Sequence, residues 1–122
     1  MTVKYHVNGL WIEKKDDQII IGLSEKGQDD AGDIMFANLM IDSDYLEAGD
    51  TLIGVEGAKA VTDFTTPFAG NVLAIHEAIE EDFDLLNSTD RADNWIVKLR
   101  PKDTSLFSQL LDKPFPSENS VE

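Results

Sequence analysis

The sequence predicts a mainly β domain, a sandwich or flattened barrel carrying short helices. Three observations lead there. Short β-prone runs recur along the chain, Gly-containing turns separate them, and three of the runs follow a small repeat: Ala31-Gly32-Asp33, Ala48-Gly49-Asp50 and Ala69-Gly70-Asn71. At 122 residues the chain suits one domain with a modest core and is too short for two domains plus a linker. A single domain over 1–122 is therefore expected, with its core at about 10–113 and flexible ends at 1–8 and 117–122.

The first expected strands run from Leu10 to Lys14 and from Gln18 to Leu23, reversed at the polar Lys15-Asp16-Asp17. Ile19-Ile20-Ile21 breaks strict alternation and predicts a strand covered on both faces. Ser24 can cap a short helical turn over 24–31, which Gly27 and Gly32 limit. The repeated turns then launch strands at 34–39, 51–55 and 71–75, with a further strand at 61–65. The acidic segment 80–87, with Phe83, Leu85 and Leu86, reads as a short helix over one end. A last strand spans Trp95 to Leu99 and stops at Pro101. Asp103 or Thr104 can cap a C-terminal helix with the stripe Leu106, Phe107, Leu110 and Leu111, which Pro114 and Pro116 end.

Composition narrows the function. A net charge of −14 disfavours any phosphate-backbone partner and suits docking on basic surfaces of other proteins. With 0 cysteines, disulfides, thiolate nucleophiles and Cys-based metal sites are absent, so redox or thiol chemistry must arrive on a cofactor. No stretch has the length of a membrane span, and the first residues carry neither a signal-peptide h-region nor Arg-rich transit character; a cytoplasmic protein is expected. His6 and His76 have no companion ligands in sequence, and Glu80 to Asp84 lack the calcium-loop pattern, so no metal site is expected. Ser24, Thr65 and Thr66 have no triad around them, and the chain is read as a non-catalytic protein.

One cation stands apart. Between residues 27 and 97 the only Lys or Arg residues among many acids are Lys59 and Arg91. Lys59 lies in Glu56-Gly57-Ala58-Lys59-Ala60, between two β-prone runs, where Gly57 and Ala58 allow a tight reversal and Ala60 adds no bulk. A hairpin tip would hold this amine away from the core, within reach of a modifying enzyme.

These residues resemble a lipoyl attachment motif, in which a Glu three before the lysine and an Ala just after it recur; biotin carriers flank the lysine with Met instead. Further blocks are similar to those of the glycine cleavage H-protein family: the Trp11 strand, Gly22-Leu23-Ser24 with Gln28 and Gly32-Asp33-Ile34, Ala48-Gly49-Asp50, Pro67 to Val72, Leu85-Leu86-Asn87 and Trp95 to Pro101. The resemblance implies a barrel-sandwich hybrid with a C-terminal helix. It also implies covalent lipoic acid on Lys59, with Glu56, Gly57, Ala58 and Ala60 as its attachment motif.

Such a carrier shuttles an aminomethyl group on its arm. The implied partners are a lipoate ligase or lipoyl transferase, glycine decarboxylase, aminomethyltransferase and dihydrolipoyl dehydrogenase. The chain departs from the family at Gly9-Leu10, where His-Glu is usual, at Thr89 to Asn94, where Pro-Tyr-Gly-x-Gly is usual, and in a clipped C-terminal helix. An H-like branch acting outside glycine cleavage is an alternative, with a sirtuin-type ADP-ribosyl transferase and a macrodomain hydrolase as partners and Asp29, Asp30 or Asp33 as candidate acceptors. A third reading is an unmodified β-sandwich binding module.

Overall fold

The structure, a computed structural model, describes residues 2–113. Its strands are β1 (Thr2–His6), β2 (Leu10–Lys15), β3 (Gln18–Leu23), β4 (Ile34–Leu39), β5 (Tyr45–Leu46), β6 (Thr51–Gly57), β7 (Val61–Thr65), β8 (Gly70–Ile75) and β9 (Trp95–Pro101). Three short helices, α1 (Glu25–Ala31), α2 (Ala78–Glu81) and α3 (Arg91–Asn94), join them. A six-stranded sheet has the order β1-β2-β3-β9-β8-β5, and a three-stranded sheet the order β4-β6-β7. All pairings are antiparallel.

The core draws on both sheets. Leu10, Ile12, Ile19, Ile21, Leu23, Val97 and Leu99 from the larger sheet join Ala37, Ile53, Val55 and Phe64 from the smaller one in a single buried cluster. Fully burying each large aliphatic chain contributes about 1.5–3 kcal/mol, so this alternation fixes which face of each strand turns inward. Ile20 corrects the expectation of a strand covered on both faces. It is only half-buried, lining a surface groove with Glu13 and Lys98, while Ile19 and Ile21 are at 0% exposure.

The turns follow the sequence closely. β2 and β3 pair Lys15 with Gln18 across Asp16-Asp17, and Asp16 takes φ 56. Asp tolerates that left-handed conformation because its short polar side chain can bond locally. Ser24 caps α1 by accepting from the Gly27 N–H at 3.4 Å, and Gly32 ends it at φ 77. The acidic segment is a helix in two pieces, α2 and a 3-10 turn over Phe83–Asn87, interrupted at Asp82.

Two ends differ from expectation. The N-terminal segment, expected to be flexible over 1–8, supplies β1, paired with β2 from Thr2↔Lys14 to His6↔Leu10. The expected C-terminal helix is a single 3-10 turn, Ser105–Gln109. Asp103 rather than Thr104 caps it, accepting from the Ser105 N–H at 2.8 Å. That backbone hydrogen bond, with a second from the Ser105 side chain, holds the Asp103 carboxyl below its ordinary range.

The stripe of four apolar residues does not act as one face. Phe107 is buried and Leu106 and Leu110 are half-buried, but Leu111 is 47% exposed. Its backbone instead exchanges hydrogen bonds with Tyr5 at 2.9 and 3.2 Å, so the open edge of β1 unwinds the turn. The proline stop at Pro114 and Pro116 and the expected flexible tail 117–122 lie outside the described residues.

The segment 88–94 is tied down by polar groups. The Trp11 Nε1–H donates to Asn94 Oδ1 at 2.8 Å inside the protein, and Asn94 Nδ2 donates to the Ser88 carbonyl at 2.8 Å. Asp90 caps α3 through the Ala92 N–H at 2.9 Å. Each such bond contributes about 1 kcal/mol net, and leaving the buried indole N–H without a partner would cost more. His76 stacks on Trp95 with ring centroids 4.5 Å apart, and its Nδ1 lies 2.7 Å from the Trp95 carbonyl. His6 Nδ1 accepts from the Asn8 N–H at 3.1 Å. Both histidines are thus engaged in local packing.

Candidate functional site

β6 and β7 form a hairpin whose reversal is Gly57 to Ala60. The Gly57 N–H donates to the Ala60 carbonyl at 2.9 Å and closes it. The reversal does not stand free, because its backbone is fastened to the end of α1. Ala58 N–H donates to the Asp33 carbonyl at 2.9 Å, and the Lys59 and Ala60 N–H groups both donate to the Ala31 carbonyl, at 2.9 and 3.3 Å. The last carbonyls of a helix lack partners within it. Here the hairpin tip supplies them, and the two elements hold each other.

Two glycines allow this approach. A Cβ on Gly57 would lie 2.0 Å from the Ala31 carbonyl oxygen, and one on Gly32 would lie 2.9 Å from the Lys59 nitrogen. Gly32 also sits at φ 77, where a side chain is strained. The Ala31-Gly32-Asp33 turn therefore serves as the seat of the tip as well as the start of β4.

Lys59 itself is exposed. Its one side-chain hydrogen bond among the described residues runs from Nζ to the Asp29 carbonyl at 3.2 Å, and no carboxylate there pairs with it. Beside it lies a polar groove of about 410 Å³ lined by Gln28, Asp29, Gly32, Asp33, Ala58, Lys59 and Asn87. Side-chain hydrogen bonds fix the walls. Gln28 donates to the carbonyls of Leu86 and Ser88, each at 2.7 Å. Asn87 accepts from the Ile34 N–H at 2.8 Å and donates back to the Ile34 carbonyl at 3.1 Å, binding the 3-10 turn to β4.

The other motif residues precede and follow Lys59 along the hairpin. Glu56 is exposed on β6, Ala58 is exposed at the tip, and Gly57 and Ala60 are half-buried. Of the three candidate acidic acceptors, Asp29 and Asp33 line the groove with Lys59, whereas Asp30 pairs with Lys26 at 2.6 Å. Sequence reasoning missed the clamp on α1 and the groove. Gln28 and Asn87 were visible only as parts of similar blocks, and nothing local signals their long-range bonds.

Chemically, the tip presents a primary amine on a rigid mount, flanked by small residues. It is accessible to an acyl donor from outside and can carry an added chain without displacing the core.

The family model for the glycine cleavage H-protein matches residues 3–118. The chain belongs to the glycine cleavage H-protein family. A glycine cleavage system H protein of Bacteroides thetaiotaomicron is 34% identical over 111 residues, covering 91% of this chain and 88% of that protein. One from Shewanella sediminis is 37% identical over 111 residues, covering 90% and 86%. A crystal structure of the H protein from Mycobacterium marinum superposes with a TM-score of 0.74 at 21% identity, covering 90% of this chain and 89% of that one. The two-sheet architecture is thus the H-protein fold, a lipoyl-domain-like barrel-sandwich. Membership makes the chain kin to the carrier component of a multi-enzyme system. No helix among the described residues is long and apolar enough to cross a membrane.

Proposed function

We propose that the protein is a lipoyl carrier of glycine cleavage, shuttling an aminomethyl group between enzymes on an arm attached to Lys59. The observation that carries this reading is an exposed amine on a reversal clamped by three backbone hydrogen bonds, two to the last residue of α1 and one to Asp33 in the turn that follows it. Attachment requires the neutral amine to attack the carbonyl carbon of an activated lipoate. An amide bond forms, the bond to the activating group breaks, that group departs with the electron pair, and the nitrogen loses a proton.

Small neighbours at Gly57, Ala58 and Ala60 leave that nitrogen open, and the groove wall fixes the direction of the tip. The bound lipoyl group supplies a reducible disulfide, which the cysteine-free chain lacks. The protein's own contribution is reach and a high local concentration of one carrier among three enzymes: glycine decarboxylase, aminomethyltransferase and dihydrolipoyl dehydrogenase. A lipoate ligase or lipoyl transferase loads it beforehand. The carrier does no chemistry of its own in this scheme.

The location of Asp29 and Asp33 beside Lys59 favours a second reading, a carrier outside glycine cleavage that a sirtuin-type ADP-ribosyl transferase modifies in the groove and a macrodomain hydrolase restores. Reconstitution separates the two. The lipoylated chain is expected to support glycine-dependent carbon dioxide release with the three enzymes. Full loading without release would favour the second reading.

A further inference from the structure

The outer face of β4-β6-β7 carries a row beside the tip in which two apolar residues flank a glutamate. Phe36 pairs with Glu56, and Glu56 pairs with Val61. Directly opposed residues of antiparallel strands project to the same face, so these three side chains stand in line. Their pair lies next to the Gly57–Ala60 bond that closes the reversal. The alternate positions Ala37, Val55 and Phe64 are buried at 2%, 1% and 2%, which turns the row to solvent.

Val61 is 76% exposed, more than any other large apolar residue among the described ones, and Phe36 is 51% exposed. Met35, at the bulge between Ile34 and Phe36, adds another apolar chain at 58%. The fold gives no reason for apolar residues here, since the core is filled from the other face. The three strands contain no Lys or Arg; their charged residues are Glu56 and Asp63, both exposed.

Resting on the Lys59 reading, we propose that this row is the docking surface for the enzyme that attaches the arm, which meets it with an apolar cleft rimmed by Lys and Arg. Reach selects this occupant. Enzymes that act on the far end of an arm can stand off by the arm's length. The attaching enzyme meets the bare amine, and its acyl carbonyl must come to bonding distance of Nζ, so it must touch the first residue pairs below the tip. On the α1 side those surfaces are polar and acidic; on the outer face they are Phe36, Glu56 and Val61. Buried apolar contact supplies the hold, and the acids raise the rate of encounter with a basic rim.

The test measures initial rates of lipoylation of the full chain by a bacterial lipoate ligase with lipoate and ATP, read by intact mass. Phe36→Asn and Val61→Asn are each expected to lower kcat/KM about tenfold through KM, the scale of an interface anchor. Val61→Lys should fall further, with the gap narrowing in added salt. Val61→Ile should keep the wild-type rate, as should Leu111→Asn, which removes an exposed apolar chain beyond this sheet. Circular dichroism checks that each variant is folded.

A loaded wild type with unchanged kcat/KM in both Asn variants overturns the docking surface alone, whereas a wild type that gains no lipoyl group overturns the Lys59 reading beneath it. A dimer of the unmodified chain that Val61→Lys dissolves would assign the face to a second copy and also overturn the proposal.

Discussion

A Lys59→Arg chain is expected to fold normally and to show no glycine-dependent turnover above background with the three partner enzymes. The Lys59 side chain contributes one exposed hydrogen bond to the fold, from Nζ to the Asp29 carbonyl, and its backbone bond to Ala31 is kept by any residue but proline. A guanidinium can make the same bond, and surface substitutions of this kind usually change stability by no more than about 0.5 kcal/mol. Function responds differently. The guanidinium stays protonated and cannot attack an acyl carbonyl, so no arm is attached. Thermal unfolding and carbon dioxide release from labelled glycine, measured side by side, read the two effects. Turnover by the variant would place the attachment elsewhere.

The second large effect is structural and lies two residues away. Gly57→Ala puts a Cβ 2.0 Å from the Ala31 carbonyl oxygen and 2.7 Å from its carbon. Those are backbone atoms, held by the Lys59 and Ala60 N–H groups, so neither wall can yield by a rotamer change. The tip must lift from α1, losing its clamp. Overpacking of this severity costs about 3 kcal/mol, which lowers Tm by about 10 °C in a chain of this size.

Gly54→Ala provides the contrast. Its Cβ would meet only Asp63 Oδ1, at 2.9 Å, the free end of an exposed side chain that can swing away. That variant should unfold close to the wild type. A Gly57→Ala protein as stable as Gly54→Ala would mean that the clamp adds nothing.

The residues of the strands were readable because each contains its own information. β2 and β3 are apolar runs on either side of a two-residue polar turn, and the Ser24 hydroxyl and the conformational freedom of Gly32 mark the ends of α1 locally. β1 was missed because Thr2–His6 has only Val3 and Tyr5 as apolar alternation, and an edge strand needs one paired neighbour rather than two buried faces. β5, at 2 residues, is too short to have a pattern. The C-terminal stripe misled because spacing alone cannot report that β1 has an open edge competing for Leu111.

The same division holds at the site. The motif around Lys59 is contiguous, so the hairpin and its amine could be placed from residues 56–60. The seat beneath it joins residues 29–33 to 57–60, and the groove adds Asn87 from the far side of β4. No local propensity encodes such contacts. They arise when the two sheets close on their common core, and they explain why both Gly32 and Gly57 must lack a side chain.

Lipoylation is read most directly in the mass of the protein itself. After incubation with lipoate, ATP and a lipoate ligase, the intact chain is predicted to gain a single lipoyl group, and peptide mapping is predicted to place it on Lys59. An unchanged mass, or a lipoyl group on any other lysine, would contradict the account.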